Sequence, residues 1–223
     1  MDRRSALLHA KIHSFNRLVN KTSGFVRWAL SRVETPYVAC SFGKDSAVML
    51  HIILEHKPDI PIRFIRWKNE TEHIDNYDEV INEWGKINLT QIELCRESLN
   101  DNRPERYQTT QFDSYFIGLR EDESTARRIT LKANGIFYKN KAGLIRIAPL
   151  AEWSTRDIAA YVYSKNLPIL KSYLQKGISS RTASRIPRSD YGIRTNFLID
   201  LKRYNLAAYQ QLLLKFPEIK QYV

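Results

Sequence analysis

Cysteine is scarce: the 223-residue chain holds two, Cys40 and Cys95. Two are too few for a disulfide framework or a Cys-rich metal site, and no paired cysteines exist to hold an iron–sulfur cluster. Both read as inert packing groups in a reducing compartment. Long apolar runs are missing too. No stretch approaches the ~18–20 residues a bilayer helix needs, so no membrane partner is expected. The opening MDRRSALLHAKIHSF lacks a signal-peptide core and reads as amphipathic helix, which makes a cytoplasmic location the expectation. No two glycines flank four residues ahead of Lys-Ser or Lys-Thr, so a Walker A loop is excluded. Internal repeats, low-complexity tracts and clear linkers are absent.

What is present describes a folded globule. Hydrophobic residues make up 43% and aromatics 11%, enough to bury a full core at this length. Charge is abundant and lopsided. Residues 1–110 hold 16 Lys/Arg against 15 Asp/Glu, whereas residues 111–223 hold 19 against 9. A nucleic acid, or a triphosphate with an acidic substrate, would suit that half; scattered solvated cations would look the same.

Hydrophobic periodicity sets out an α/β chain. Residues 5–33 predict two helices broken near Lys21-Thr22-Ser23-Gly24. Strand 36–41, helix 45–56, strand 61–67, helix 73–85 and strand 88–95 follow, then a helix or loop around 103–111 and strand 113–118. Residues 136–149 read as a hairpin turning at Asn140-Lys141-Ala142-Gly143, and helix 154–165 opens on Ser154 or Thr155 with Asp157 behind. Residues 176–195, with Arg181, Arg185, Arg188 and Arg194, read as a basic loop; a last helix covers 205–215. Strand alternating with helix predicts an open, mostly parallel twisted sheet with helices on both faces, extended by helical additions at each end. Three segments are expected: 1–34, a helical lead-in; 35–175, the α/β domain; and 176–223, a basic loop and helix packed on it.

The most informative stretch is YVACSFGKDS, residues 37–46. Tyr37 to Cys40 form a strand-length apolar run, and from Asp45 the period becomes helical. Asp45 and Ser46 suit a helix start. Gly43 lets the turn bend, and the free amides there, with Ser41, Lys44 and Ser46, form a ready anion site. Simple helix capping is the plainer alternative.

Two further stretches complete a pattern. FIGLREDESTARR follows some seventy residues after SFGKDSAVMLH, and IAPLAEWSTRDIAAYVYSKNLPILKSY comes next. Together they resemble the adenine-nucleotide alpha-hydrolase (PP-loop) superfamily, in its branch of phosphoadenosine-phosphosulfate (PAPS) reductases and ATP sulfurylase small subunits. The resemblance covers residues 36–175. It implies that Ser41, Phe42, Gly43, Lys44, Asp45 and Ser46 cradle nucleotide phosphates, and that Gly118, Arg120, Ser124 and Arg127 supply the opposing grip. Arg120 and Arg127 pairing with Glu121, Asp122 or Glu123 on the surface is the alternative for those side chains.

Departures from the pattern shape the expected chemistry. The reductases' Cys-Gly-Leu-His tail has no counterpart here, where the sequence closes FPEIKQYV, so thiol reduction is not expected. Arg66-Trp67-Lys68-Asn69-Glu70 stands where the family has Asp-Thr-Gly, so sulfate or a sulfonucleotide is not the expected second substrate. The expected function is therefore that of an ATP pyrophosphatase-type enzyme. It would bind MgATP, with Asp45 as candidate magnesium ligand, and adenylylate an anionic acceptor with release of pyrophosphate. Lys44, Arg120 and Arg127 would neutralise the developing charge. The alternatives are a reductase-like sulfonucleotide protein without its catalytic cysteine, or a non-catalytic nucleotide-binding regulator or DNA-associated protein. A homo-oligomer or partner subunit is compatible with any of these. His9 and His13 have metal-ligand spacing but no further ligands, and read as a solvated face. Trp67 is a candidate adenine stack, with Trp84 and Trp153 as core aromatics. Glu70 and Glu72 are candidates for a base or magnesium role, though surface carboxylates are commoner.

Overall fold

The computed structural model describes residues 2–67, 77–94, 111–180 and 191–223. Two helices, α1 (Arg3–His9) and α2 (His13–Leu30), lead into β1 (Pro36–Ala39) and α3 (Lys44–Leu54). Then come β2 (Ile62–Trp67), α4 (Tyr77–Glu83), β3 (Leu89–Leu94), β4 (Ser114–Ile117) and α5 (Thr125–Asn134). The hairpin strands β5 (Phe137–Lys139) and β6 (Ile145–Ile147) precede α6 (Thr155–Lys165), α7 (Lys171–Lys176), α8 (Tyr191–Tyr204) and α9 (Leu206–Lys215).

The six strands form one sheet in the order β3-β2-β1-β4-β6-β5. All neighbours are parallel except the β5–β6 hairpin. Alternation along each strand divides the faces. Val38, Ile62, Phe64, Phe116 and Ile147 enter the main core with Val26 of α2, Val48 and Ile52 of α3, and Ile158 and Val162 of α6. Tyr37 and Tyr115, paired in register, point to the other face with Leu144, and Leu131 of α5 packs there on Ala148 and Ala151. Helices therefore cover both faces, as the alternating pattern required. Chain order reverses between β1 and β4, and in open parallel sheets the crevice beyond such a switch point is where ligands sit.

The helix boundaries correct the sequence reading in two places. The break in the N-terminal helices lies at residues 10–12, not at Lys21–Gly24: Ile12 is extended and α2 runs unbroken through Gly24. Tertiary packing outweighs the ~1 kcal/mol helical cost of glycine there. Thr22 is buried and its hydroxyl accepts the Trp153 indole N–H at 2.8 Å, while Phe15, Val26 and Ala29 enter the core. The stretch 176–195 is not loop throughout, because α8 begins at Tyr191. Arg181, Arg185 and Arg188 lie outside the described residues, as does Cys95. α8, α9 and a 3-10 turn (Pro217–Tyr222) close a small core of their own from Phe197, Leu198, Leu201, Tyr209, Leu212 and Ile219. Lys176 ties this unit to α7 through Asp200 at 3.2 Å.

Gly118, just beyond β4, sets how closely α3 approaches the sheet. A Cβ there would lie 3.2 Å from the Ser46 nitrogen and 3.3 Å from the Asp45 carbonyl carbon. Both are backbone atoms at a helix start and have little freedom to move. Gly118→Ala should therefore push the α3 N-terminus outward and destabilise the fold by ~1–3 kcal/mol, the usual cost of overpacking. Urea unfolding of the two proteins checks this; equal midpoints would show that the backbones yield freely.

Candidate functional site

The switch point opens into a cavity of about 530 Å³, within the ~300–1,000 Å³ usual for small-molecule sites. Ala39 and Ile117 mark the carboxyl ends of β1 and β4 in its wall. Ser41, Gly43, Lys44, Asp45 and Ser46 line one side; Gly118, Leu119, Glu123, Ser124 and Arg127 line the other, with Tyr77 and Tyr173. Eight of the ten residues singled out for nucleotide binding thus share one cavity; Phe42 and Arg120 do not line it.

Phe42 builds the loop from beneath. Its φ is +53°, a left-handed conformation unusual for a bulky side chain and costing ~1–3 kcal/mol. Complete burial holds it there, edge-on to Phe64 at 5.4 Å, with its N–H directed to the Cys40 sulfur at 3.4 Å. The reversal delivers the chain to Gly43, the extended N-cap of α3. No side chain caps α3, so the amides of its first turn remain as donors beside the cavity. The Ser46 hydroxyl donates to the Gly43 carbonyl at 3.0 Å and lies 3.1 Å from the Ser41 hydroxyl, fixing the loop's shape.

Lys44 is 5% exposed, with its ammonium 3.1 Å from Asp45 Oδ2 and 5.2 Å from the centre of the Tyr173 ring. Arg120, at 1% exposure, lies under the loop. Its Nε donates to Asp45 Oδ1 at 2.6 Å, one terminal nitrogen donates to Asp122 at 3.2 Å and to the Trp153 carbonyl at 3.1 Å, and the other reaches the Thr155 hydroxyl at 3.4 Å. The side chain that sequence reasoning assigned to phosphate contact here holds together the elements that surround the cavity. Its pairing with Asp122 is one the alternative anticipated, but the guanidinium itself is buried rather than on the surface.

Across the cavity, Ser124 is the N-cap of α5, its hydroxyl accepting the Arg127 N–H at 3.3 Å. The helix begins there rather than at Asp122, because residues 121–123 form a 3-10 turn. Arg127 pairs with Glu123. Asp45 does not suit the magnesium role: Arg120 and Lys44 occupy its two oxygens, and no group of three or more potential metal ligands occurs among the described residues. Glu70 and Glu72 lie outside those residues, and nothing is described of the Trp67 side chain. Cys40 is buried, and burial pushes its thiol up to about 11, so it offers no ready thiolate.

Six of the cavity's lining residues were not singled out in the sequence, and three of them carry polar groups. Tyr173 falls inside LPILKSY but carries no periodic signal, Tyr77 opens a short helix, and Glu123 sits in an acidic triplet that reads as surface. The reading of His9 also needs correction. It is half-buried and bonds Asp157 at 2.7 Å, where Asp157 closes the capping box of α6 with Ser154.

The fold and the loop at its switch point define an adenine-nucleotide alpha-hydrolase (PP-loop) type of α/β protein. More narrowly, a family model described as the phosphoadenosine phosphosulfate reductase domain matches residues 35–106 and 101–186, and the chain belongs to that family. It is similar to the PAPS reductase of Xylella fastidiosa (strain 9a5c), 27% identical over 169 residues that cover 64% of this chain and 69% of that protein. It is also similar to sulfate adenylyltransferase subunit 2 of Trichlorobacter lovleyi, 24% identical over 212 residues, 76% of this chain and 70% of that one. Two solved structures share the fold. The PAPS reductase of Candida auris, in a phosphate complex, matches with a TM-score of 0.53 at 16% identity over 76% of this chain and 93% of its own. The FMN adenylyltransferase of Candida glabrata, with FAD and inorganic pyrophosphate, matches with a TM-score of 0.57 at 15% identity over 77% and 68%. No described helix is long and apolar enough to cross a membrane.

Two carboxylates give the region an acid limit. Asp122 is held below its ordinary value chiefly by the Thr155 amide, with burial opposing, and the Thr155 hydroxyl and Arg120 adding to the effect. Burial raises Asp157, but the Ser154 hydroxyl, His9 and the Ser154 amide together carry it below its ordinary value. Depressed carboxylates contribute stability that is present above the unfolded pKa, ~3.9, and is lost as pH falls through the folded one. Urea midpoints should thus fall between pH 5 and pH 2, and Asp122→Asn should flatten that fall while lowering stability at pH 7. A variant with the wild-type acid slope would remove Asp122 from this role.

Proposed function

We propose that the cavity binds an adenine nucleotide through its phosphates, with the chemistry carried out there independent of a thiol. One observation carries the reading: the uncapped amides of α3, with Ser41, Lys44 and Ser46, face Ser124 and Arg127 across a single cavity. Backbone donors at a helix start and charged side chains opposite them are the groups that bind phosphate oxygens. Family membership supports an adenine nucleotide as the bearer of those phosphates. The raised, buried Cys40 supports leaving thiols out of the reaction.

With ATP, the reaction we propose is adenylyl transfer. An anionic acceptor oxygen forms a bond to the α-phosphorus, and the bond from that phosphorus to the α–β bridging oxygen breaks. Its electron pair leaves with pyrophosphate. The α3 amides, Lys44 and Arg127 would neutralise charge on the phosphates, and Arg120 would hold the loop in position without touching substrate. Magnesium, when bound, would offset phosphate charge; Asp45 as placed is committed to Arg120 and Lys44. Similarity to the adenylyltransferase subunit over 76% of the chain favours this version. The family model and most of the similar relatives, which are PAPS reductases, weigh more toward a second one, binding of a sulfonucleotide without its reduction.

Calorimetric titration with ATP, PAPS and adenosine 3′,5′-bisphosphate decides between them, alongside a pyrophosphate-release assay. Each lost charge-assisted bond is worth ~1.5–3 kcal/mol, so Lys44→Ala should weaken the preferred nucleotide about tenfold to a hundredfold. Cys40→Ala should leave binding within about twofold, since its sulfur faces the core. Unchanged affinity in Lys44→Ala, or no binding of any of the three, would overturn the site.

A further inference from the structure

Outside the cavity, the edge of the sheet at β5 carries an unusual combination of charge and aromatic surface. Residues 3–33 contain seven Lys/Arg and no Asp or Glu, and residues 125–151 contain six and again none. The fold brings parts of these two stretches together. Trp28, near the end of α2, lies edge-on to Phe137 of β5 at 5.1 Å and stacks on Phe25 at 5.6 Å. The Arg32 guanidinium sits 5.7 Å from the centre of the Trp28 ring. Lys139 shares the Phe137 face of β5 two residues on, and Lys141 lies in the following turn. Arg27, Arg32, Lys139 and Lys141 are exposed, and none has an ion-pair partner among the described residues. Trp28 itself remains 44% exposed.

A lone exposed apolar residue is ordinary on protein surfaces. A tryptophan fixed by two aromatic neighbours, open to solvent and with Arg32 over its ring, is less so. Phe25 stacks on this ring and Arg32 lies over it, so a base would take the exposed face as the Arg32 guanidinium moves off it to a phosphate, and unpaired Lys and Arg nearby supply a field for a polyanion. Polyanions that also carry flat apolar rings are nucleic acids, and only unpaired bases are free to stack on a side chain. We propose that the edge formed by the end of α2 and the β5–β6 hairpin binds single-stranded nucleic acid. One base stacks on Trp28, while Arg32, Lys139 and Lys141 lie along the phosphate backbone. The proposal does not rest on the nucleotide cavity and would stand if that cavity bound something else.

The test is a fluorescence-anisotropy titration of the full chain with a labelled single-stranded oligodeoxynucleotide and the ribonucleotide strand of the same sequence, at several salt concentrations. Stacking on one aromatic is worth about fivefold to a hundredfold in affinity. Trp28→Ala should weaken binding by that factor and leave the salt slope alone, because stacking releases no counterion. Trp28→Leu, which keeps an apolar contact with Phe137, should lose as much, and it guards against a folding defect in the alanine variant. Lys139→Ala and Lys141→Ala should each reduce the slope of log K against log salt by about 0.7. Stronger binding of one strand type would identify the sugar involved. No binding of either strand at low salt would overturn the proposal. So would unchanged affinity in both Trp28 variants, since that result describes a surface for any polyanion.

Discussion

The fold around the cavity depends on one buried cation. Arg120 takes hydrogen bonds to three elements that are far apart in sequence: Asp45 at the start of α3, Asp122 in the turn before α5, and the Trp153 carbonyl with Thr155 at the start of α6. Asp122 returns the connection, accepting from both the amide and the hydroxyl of Thr155. A guanidinium suits this place because its donors lie in one plane at fixed angles and its charge does not titrate away. An ammonium on a flexible stem would satisfy fewer of these acceptors. The arrangement is costly to break, since removing one partner of a buried pair typically destabilises by ~3–5 kcal/mol. The two walls of the cavity are thereby fixed relative to each other before any ligand arrives.

The loop before α3 is held by close packing as well as by its own Ser46–Gly43 and Ser46–Ser41 hydrogen bonds. Gly118 allows the α3 backbone to sit almost in contact with the end of β4, and Phe42 is locked in a left-handed turn by the core beneath it. Strain of this kind persists only where surrounding packing over-determines the backbone. Here the packing is Phe64 from β2 and the helices on that face, so the main core itself shapes the loop. A ligand entering the cavity meets amides already pointed, and little ordering entropy remains to oppose binding.

Much of this is legible in the amino-acid sequence. The strand–loop–helix of residues 37–54, the hairpin and the capped α6 all announce themselves through local period and capping residues. Those signals act within a few residues of one another. The placement of Arg120 does not announce itself, because its partners Asp45, Trp153 and Thr155 are fixed only by the fold; a sequence shows an arginine among acids and nothing about its depth. Tyr173 is hidden for the same reason. The misplaced break in α2 has the opposite origin: Gly24 and Ser23 are weak helix formers locally, and a tertiary contact, Trp153 on Thr22, outweighs them. His9 likewise gains a partner 148 residues away.

Charge is distributed by the same logic. Each buried or half-buried cation at the cavity already has a carboxylate: Lys44 and Arg120 share Asp45, and Arg127 has Glu123. Unpaired charge in these places would cost several kcal/mol in desolvation alone. A phosphate entering this cavity would meet formal charges that are largely balanced and would compete with Glu123 for Arg127. The donors free of such competition are the α3 amides, which carry partial charge and fixed direction. Fixed amides discriminate by where acceptor oxygens fall, whereas point charges would attract any anion of sufficient size. A site of this kind would select an anion by geometry first and by charge second. Arg27, Arg32, Lys139 and Lys141, without ion-pair partners among the described residues, lie instead at the outer edge of the sheet, where water bears the cost of their charge and a large anion can reach several at once.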